Sequence, residues 1–73
     1  MKIEVYGMEG CHFCTMAVQL AESMMKDVTY IDASQDLQQF NKLFPNSRTV
    51  PQILVDGEWV GGYSDLKQVL ENE

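Results

Sequence analysis

An α/β domain with the element order β-α-β-α-β-β-α is what this sequence predicts, and three stretches carry the prediction. Residues 13–24 repeat apolar side chains at helical spacing directly after a short strand-like run. Val28-Thr29-Tyr30-Ile31 is β-branched and aromatic, so that helix lies between two strands, and a crossover of this kind joins parallel neighbours. Asp56-Gly57 between two apolar runs is the strongest short signal for a tight hairpin.

Taken in order, Ile3 and Val5 alternate with Glu4 and Tyr6. That is the period of a strand, and Gly7 and Gly10 end it. From Phe13, the residues Ala17, Leu20, Ala21 and Met24 fall at i+4, i+7, i+8 and i+11. This stripe packs a helix on a sheet, and the helix should run to Met25 or Lys26. After the second strand, Asp32 and Ser34 are both candidate N-caps for a helix carrying Leu37, Phe40, Leu43 and Phe44. Pro45 stops that helix, because the residue before a proline is pushed out of helical backbone. Asn46-Ser47-Arg48 is a loop. Ile53-Leu54-Val55 and Glu58-Trp59-Val60 form the antiparallel hairpin, Gly61-Gly62 ends it, and Tyr63, Leu66, Val69 and Leu70 place a last helix on the sheet.

The chain has 73 residues, enough for one domain over 1–73 and near the lower limit for folding without staples. Its net charge is −6, with eleven acids and five bases scattered singly. This leaves no basic footprint for nucleic acid and no basic face for an anionic membrane. Glu4 interrupts what would be the apolar stretch of a signal peptide, and no apolar run approaches about 18 residues. A cytoplasmic protein is expected, in a compartment that keeps thiols reduced.

Chemistry concentrates at Cys11-His12-Phe13-Cys14, which holds the only two cysteines. Positions i and i+3 share a helix face, so both sulfurs can meet. Cys11 falls at the start of the first helix, where unpaired N–H groups and the positive end of the dipole favour a thiolate, the nucleophilic form. A bridge between them closes a tiny loop and stabilises little, so the pair reads as a reaction centre rather than a staple. Zinc would need four ligands, and His12 between the cysteines supplies no second pair, so no metal is expected.

Three segments, Cys11-His12-Phe13-Cys14, Thr49-Val50-Pro51 followed by Gln52-Ile53, and Gly61-Gly62-Tyr63-Ser64-Asp65-Leu66, give the chain its resemblance to the glutaredoxins of the thioredoxin-like superfamily. They stand in the family's order and spacing, and the resemblance covers the whole chain. It implies a four-stranded mixed sheet of order 2-1-3-4 flanked by three helices, with a cis peptide before Pro51. It implies catalysis by Cys11 and Cys14, with glutathione held by Thr49, Val50, Pro51, Gly62, Tyr63, Ser64 and Asp65. The backbone of Val50 would pair with the cysteine of glutathione. N–H groups near Ser64 and Asp65 would hold its γ-glutamyl carboxylate, and the Asp65 side chain would pair with its ammonium. The residues themselves suit that role: a glycine pair admits a ligand close to the backbone, and the helix start that follows offers free N–H groups to a carboxylate.

By this resemblance Cys11 attacks a protein disulfide or a glutathione mixed disulfide, Cys14 resolves the adduct, and glutathione restores the dithiol as co-substrate, with no tightly bound cofactor. A monomer acting on disulfide-containing or glutathionylated proteins is implied, ribonucleotide reductase among the family's partners. Four positions modulate the expectation. His12-Phe13 replaces the common Pro-Tyr, which removes a preorganised first turn and adds a titratable ring. Met8, followed by Glu9, stands where the family often has a cation that favours the thiolate, and Arg48 is the nearest base in sequence that could compensate. Two other functions share the motif: a thioredoxin-like hydrogen donor reduced by a flavoprotein, and a glutathione-ligated [2Fe–2S] carrier.

Overall fold

A computed structural model describes residues 1–73. It contains β1 (Lys2–Gly7), α1 (His12–Ser23), β2 (Asp27–Asp32), a 3₁₀ turn (Ala33–Gln35), α2 (Leu37–Leu43), β3 (Gln52–Val55), β4 (Glu58–Gly61) and α3 (Tyr63–Glu71). The sheet order is β2-β1-β3-β4. β1 runs parallel to β2 and β3 antiparallel to β4, as the residues predicted, and β1 runs antiparallel to β3 in the mixed sheet that the resemblance implied. No helix is long and apolar enough to cross a membrane.

Strand side chains alternate between two faces, and the two buried clusters follow that alternation. Ile3, Val5, Ile53 and Val55 meet Ala17 and Ala21 of α1 and Leu66 and Leu70 of α3 on one face. Tyr6 and Leu54 meet Ala33, Phe40 and Phe44 on the other. Helices therefore cover both faces, α1 with α3 on one and α2 alone on the other. The second face is aromatic. The Phe44 ring lies 5.1 Å from Tyr6, 5.2 Å from Phe40 and 5.2 Å from Trp59, with edge-on or tilted geometries that suit aromatic quadrupoles.

The hairpin is tight as expected. Asp56 and Gly57 have φ of 50° and 85°, the pair of positive values that a type I′ turn requires. Three local expectations are corrected. First, α1 stops at Ser23, before Met25 or Lys26. Met25 takes φ 59°, its N–H donates to the Glu22 carbonyl, and the Lys26 N–H donates to Ala21, both at 3.0 Å. That is a Schellman ending with methionine where glycine is usual, so no glycine marked the stop in sequence. Second, neither Asp32 nor Ser34 caps α2. Asp32 caps the 3₁₀ turn by accepting from Ser34 N–H at 2.9 Å, and Asp36 caps α2 by accepting from Gln39 N–H at 3.0 Å. Third, Phe13, Met24 and Leu37 are exposed rather than part of the buried stripes, because each sits in the first turn or at the end of its helix, beyond the sheet's cover.

Two stability predictions arise here. Met25 is 93% exposed, so it loses no packing when replaced. Met25→Gly should raise stability by about 0.5–1 kcal/mol, because glycine adopts the left-handed backbone without cost. Denaturant unfolding should show a higher midpoint at unchanged slope, and a lower midpoint would refute the reading of this cap. Bonds from the Ser34 hydroxyl and N–H hold the Asp32 carboxyl below its usual range. The folded state thus prefers the ionised form. The contribution is present above the ordinary carboxylate range and fades as pH falls through the lowered value. Asp32→Ala should therefore flatten part of the acid limb of stability against pH, which thermal melts between pH 7 and pH 2 would reveal.

Candidate functional site

The turn after β1 presents the first cysteine. Cys11 N–H donates to the Met8 carbonyl at 3.2 Å, and Gly10 at the third position has φ 82°, as a type II turn demands. Cys11 is then the N-cap of α1, its own sulfur taking the capping role: Cys14 N–H donates to Cys11 Sγ at 3.1 Å. A donor of this kind stabilises sulfur more as an anion than as a neutral group. Cys11 and Cys14 are joined as a disulfide, with Cα atoms 5.3 Å apart, so the oxidised form of the pair is seen. The two sulfurs differ in setting. Cys11 is half-buried, whereas Cys14 is 1% exposed. A Cβ on Gly7 would come within 2.7 Å of Cys14 Sγ, so the bare backbone at the end of β1 makes room for that sulfur.

The segment before β3 approaches from the other side. The Val50–Pro51 peptide is cis, and the Val50 carbonyl oxygen lies 3.8 Å from Cys11 Sγ. Beyond it, the Pro51 carbonyl faces Gly62, where a Cβ would stand 3.6 Å away. Thr49, Val50, Pro51, Gly62, Tyr63, Ser64 and Asp65 thereby wall one cleft of about 280 Å³, together with Phe13 and Gln52. Every position that the resemblance assigned to ligand binding lines this one cavity.

At the far wall, α3 begins with open donors. Its first internal bond runs from Leu66 N–H to the Gly62 carbonyl at 3.0 Å, so the N–H groups of Tyr63, Ser64 and Asp65 precede the ladder. Asp65 reaches back so that Oδ2 accepts from Gly62 N–H at 3.0 Å, one half of a capping box. That bond engages a single oxygen of an exposed carboxylate. Gly61 has φ 125°, and a Cβ there would run into the Asp65 carboxyl group.

The four expected modulators are placed differently from one another. Phe13 lines the cleft, its ring 5.9 Å from that of Tyr63. His12 is exposed at the first turn, edge-on to Phe13 at 6.1 Å. Met8 packs against the aromatic cluster of Tyr6, Phe40 and Phe44. Arg48 is exposed and outside the cleft walls. Sequence reasoning placed Gln52 beside the Thr49-Val50-Pro51 segment and Trp59 in a hairpin strand, and gave neither a site role. Gln52 is 7% exposed, and a glutamine opening an apolar strand right after Val50-Pro51 was the available signal. Near the same end of the sheet, burial, Asp32 and Glu9 raise the Tyr30 phenol above its ordinary range, so it stays neutral.

Comparison with known proteins agrees with this geometry. Residues 3–60 match the glutaredoxin family model. Glutaredoxin 1 of Escherichia coli strain K12 is 36% identical over 77 residues, covering 90% of this chain and 88% of that protein. The structure of reduced Escherichia coli glutaredoxin superposes with a TM-score of 0.80 at 32% identity, covering 100% of this chain and 96% of the other. A buckwheat glutaredoxin–glutathione complex shares the fold, with a TM-score of 0.78 at 19% identity, over 96% of this chain and 68% of that one. A thioredoxin-like sheet, a Cys-x-x-Cys pair bonded at a helix start and a family match over most of the length establish that the chain belongs to the glutaredoxins, which are thiol–disulfide oxidoreductases.

Proposed function

We propose that the cleft binds glutathione and that the chain reduces protein disulfides and glutathione mixed disulfides, with Cys11 as nucleophile and Cys14 as resolving thiol. The observation that carries this reading is the continuity of the cleft: Thr49–Pro51 and Gly62–Asp65 wall one cavity with Cys11 Sγ close to the Val50 carbonyl. The buckwheat relative, complexed with glutathione, supports the same ligand. The tripeptide's γ-glutamyl carboxylate suits the open N–H groups of α3, and its ammonium suits the Asp65 carboxylate.

The reaction follows from the two sulfur environments. Cys11 thiolate attacks one sulfur of a protein–glutathione disulfide, the Cys11–glutathione bond forms, and the protein leaves as a thiolate that takes up a proton. A second glutathione thiolate then attacks that adduct, releasing glutathione disulfide and Cys11 thiolate. On a protein disulfide, Cys11 forms a mixed disulfide and Cys14 attacks it, which yields the bonded pair seen in this structure. Two glutathiones return that pair to the dithiol as one glutathione disulfide.

Turnover coupled to glutathione and glutathione reductase, set against turnover with thioredoxin reductase, tests the reductant. Only the first couple should sustain the rate. Asp65→Asn keeps an oxygen to accept the Gly62 N–H and removes the charge, so the helix start survives. Its KM for a glutathionylated peptide should rise roughly 10-fold, since a charge-assisted bond is about twice as strong as a neutral one. An unchanged KM would leave Asp65 as a cap and nothing more.

A further inference from the structure

One wall of the cleft is a connector: between Phe44 and Pro51 the backbone makes one internal hydrogen bond, Ser47 N–H to the Phe44 carbonyl at 3.1 Å. Side chains from the sheet must hold it. Gln52 is the single buried polar side chain of the chain, a costly group to bury without partners. Its Nε2 donates to the Thr49 carbonyl at 3.0 Å and approaches Thr49 Oγ1 at 3.4 Å, and its Oε1 accepts from Trp59 Nε1 at 2.9 Å. Trp59 stands on edge strand β4, half exposed, with its ring 5.2 Å from Phe44.

We propose that Trp59, acting through Gln52, which itself lines the cleft, clamps the 44–51 connector at both ends and so sets the affinity of the cleft for glutathione. The Trp59 ring meets the connector's first residue, Phe44. The Trp59 N–H fixes Gln52 in the orientation that presents its amide hydrogens to Thr49. Thr49 and Val50 are walls of the cleft, and Val50 is the residue facing Cys11. Without the indole donor, the buried Gln52 oxygen is left unpaired, and the amide turns or draws in water. Thr49 then loses its tether, and the ligand must order the wall as it binds. The inference rests on the reading of the cleft as a glutathione site.

The test uses the full chain with Trp59→Phe, which keeps a ring against Phe44 and removes only the donor, and Gln52→Met, which keeps the volume. Asp65→Asn serves as the independent probe of the cleft. For each clamp variant, KM for a glutathionylated peptide should rise about 3- to 10-fold, the range of one or two lost hydrogen bonds, with kcat within about 2-fold. The double variant should be no worse than Gln52→Met alone, because both act through one tether. If Asp65→Asn raises KM and the clamp variants do not, the clamp is wrong and the cleft stands. If none of the three changes KM, the glutathione reading falls with it. A fall in kcat or in melting temperature at constant KM would make the pair purely structural and overturn the proposal. A measurement that needs no variant is also at hand, because Trp59 is the sole tryptophan. S-methylglutathione, which cannot exchange, should alter the emission of the native protein in a saturable way, and unchanged emission would count against the clamp.

Discussion

Cys11→Ser is expected to abolish exchange with protein disulfides and with glutathione mixed disulfides alike. A serine hydroxyl is not ionised near neutral pH, so the position that accepts the Cys14 N–H no longer offers an anion. Cys14 cannot replace it, because it is 1% exposed and packed against Gly7 and lies a turn into the helix. Cys14→Ser should behave differently. Removing glutathione from a glutathionylated protein needs one attacking thiolate and a second glutathione, so that activity should persist. Reduction of a protein disulfide should stall as a trapped mixed disulfide, visible by mass spectrometry under non-reducing conditions. Activity retained by Cys11→Ser, with both reactions lost in Cys14→Ser, would reverse the two roles and refute the helix-start argument.

Gly61→Ala is expected to give the second large effect, on stability and binding together. At φ 125° an alanine is strained, and its Cβ would occupy the space of the Asp65 carboxyl group. Backbone strain of about 1–3 kcal/mol and the loss of a cap of about 0.5–2 kcal/mol sum to about 1.5–5 kcal/mol. At about 4–8 °C per kcal/mol for a domain of this size, that lowers the melting temperature by roughly 6–40 °C. Displacing Asp65 also moves a wall of the cleft. The folded fraction should therefore show a higher KM for glutathionylated peptide than Asp65→Asn does. A melting temperature within a few degrees of the native protein would show that α3 shifts to accommodate the methyl group.

Much of this was legible in the residues because the informative signals were local. Alternation in β1, the stripe of α1, Asp56-Gly57 in the hairpin and Cys-x-x-Cys after a strand each act within a few positions, and each reappears in the structure. Caps were legible only in part. Asp32 and Asp36 are both competent acceptors four residues apart, and the choice between a 3₁₀ turn and α2 depends on where Ala33 and Phe40 must bury. The end of α1 was hidden because Met25 carries no mark of left-handed backbone. The placements of Met8 and Trp59 were hidden for a different reason. Their contacts depend on how elements pack and pair: Met8 meets the cluster of Tyr6, Phe40 and Phe44, and Trp59 reaches Gln52, seven residues away, across the β3–β4 pair.

The unequal seating of the two sulfurs has a practical consequence for conjugation chemistry. In the dithiol state Cys14 would remain sealed between α1 and the bare end of β1, whereas Cys11 opens beside the cleft. A bulky maleimide should consequently add one equivalent and not two, which gives a two-cysteine protein the behaviour of a single-site scaffold. A dye or surface linker installed this way would sit at residue 11 itself and plug the cleft, so immobilisation through thiols would yield an inert film, while coupling through the exposed lysine amine of α3, Lys67, would leave the cleft open.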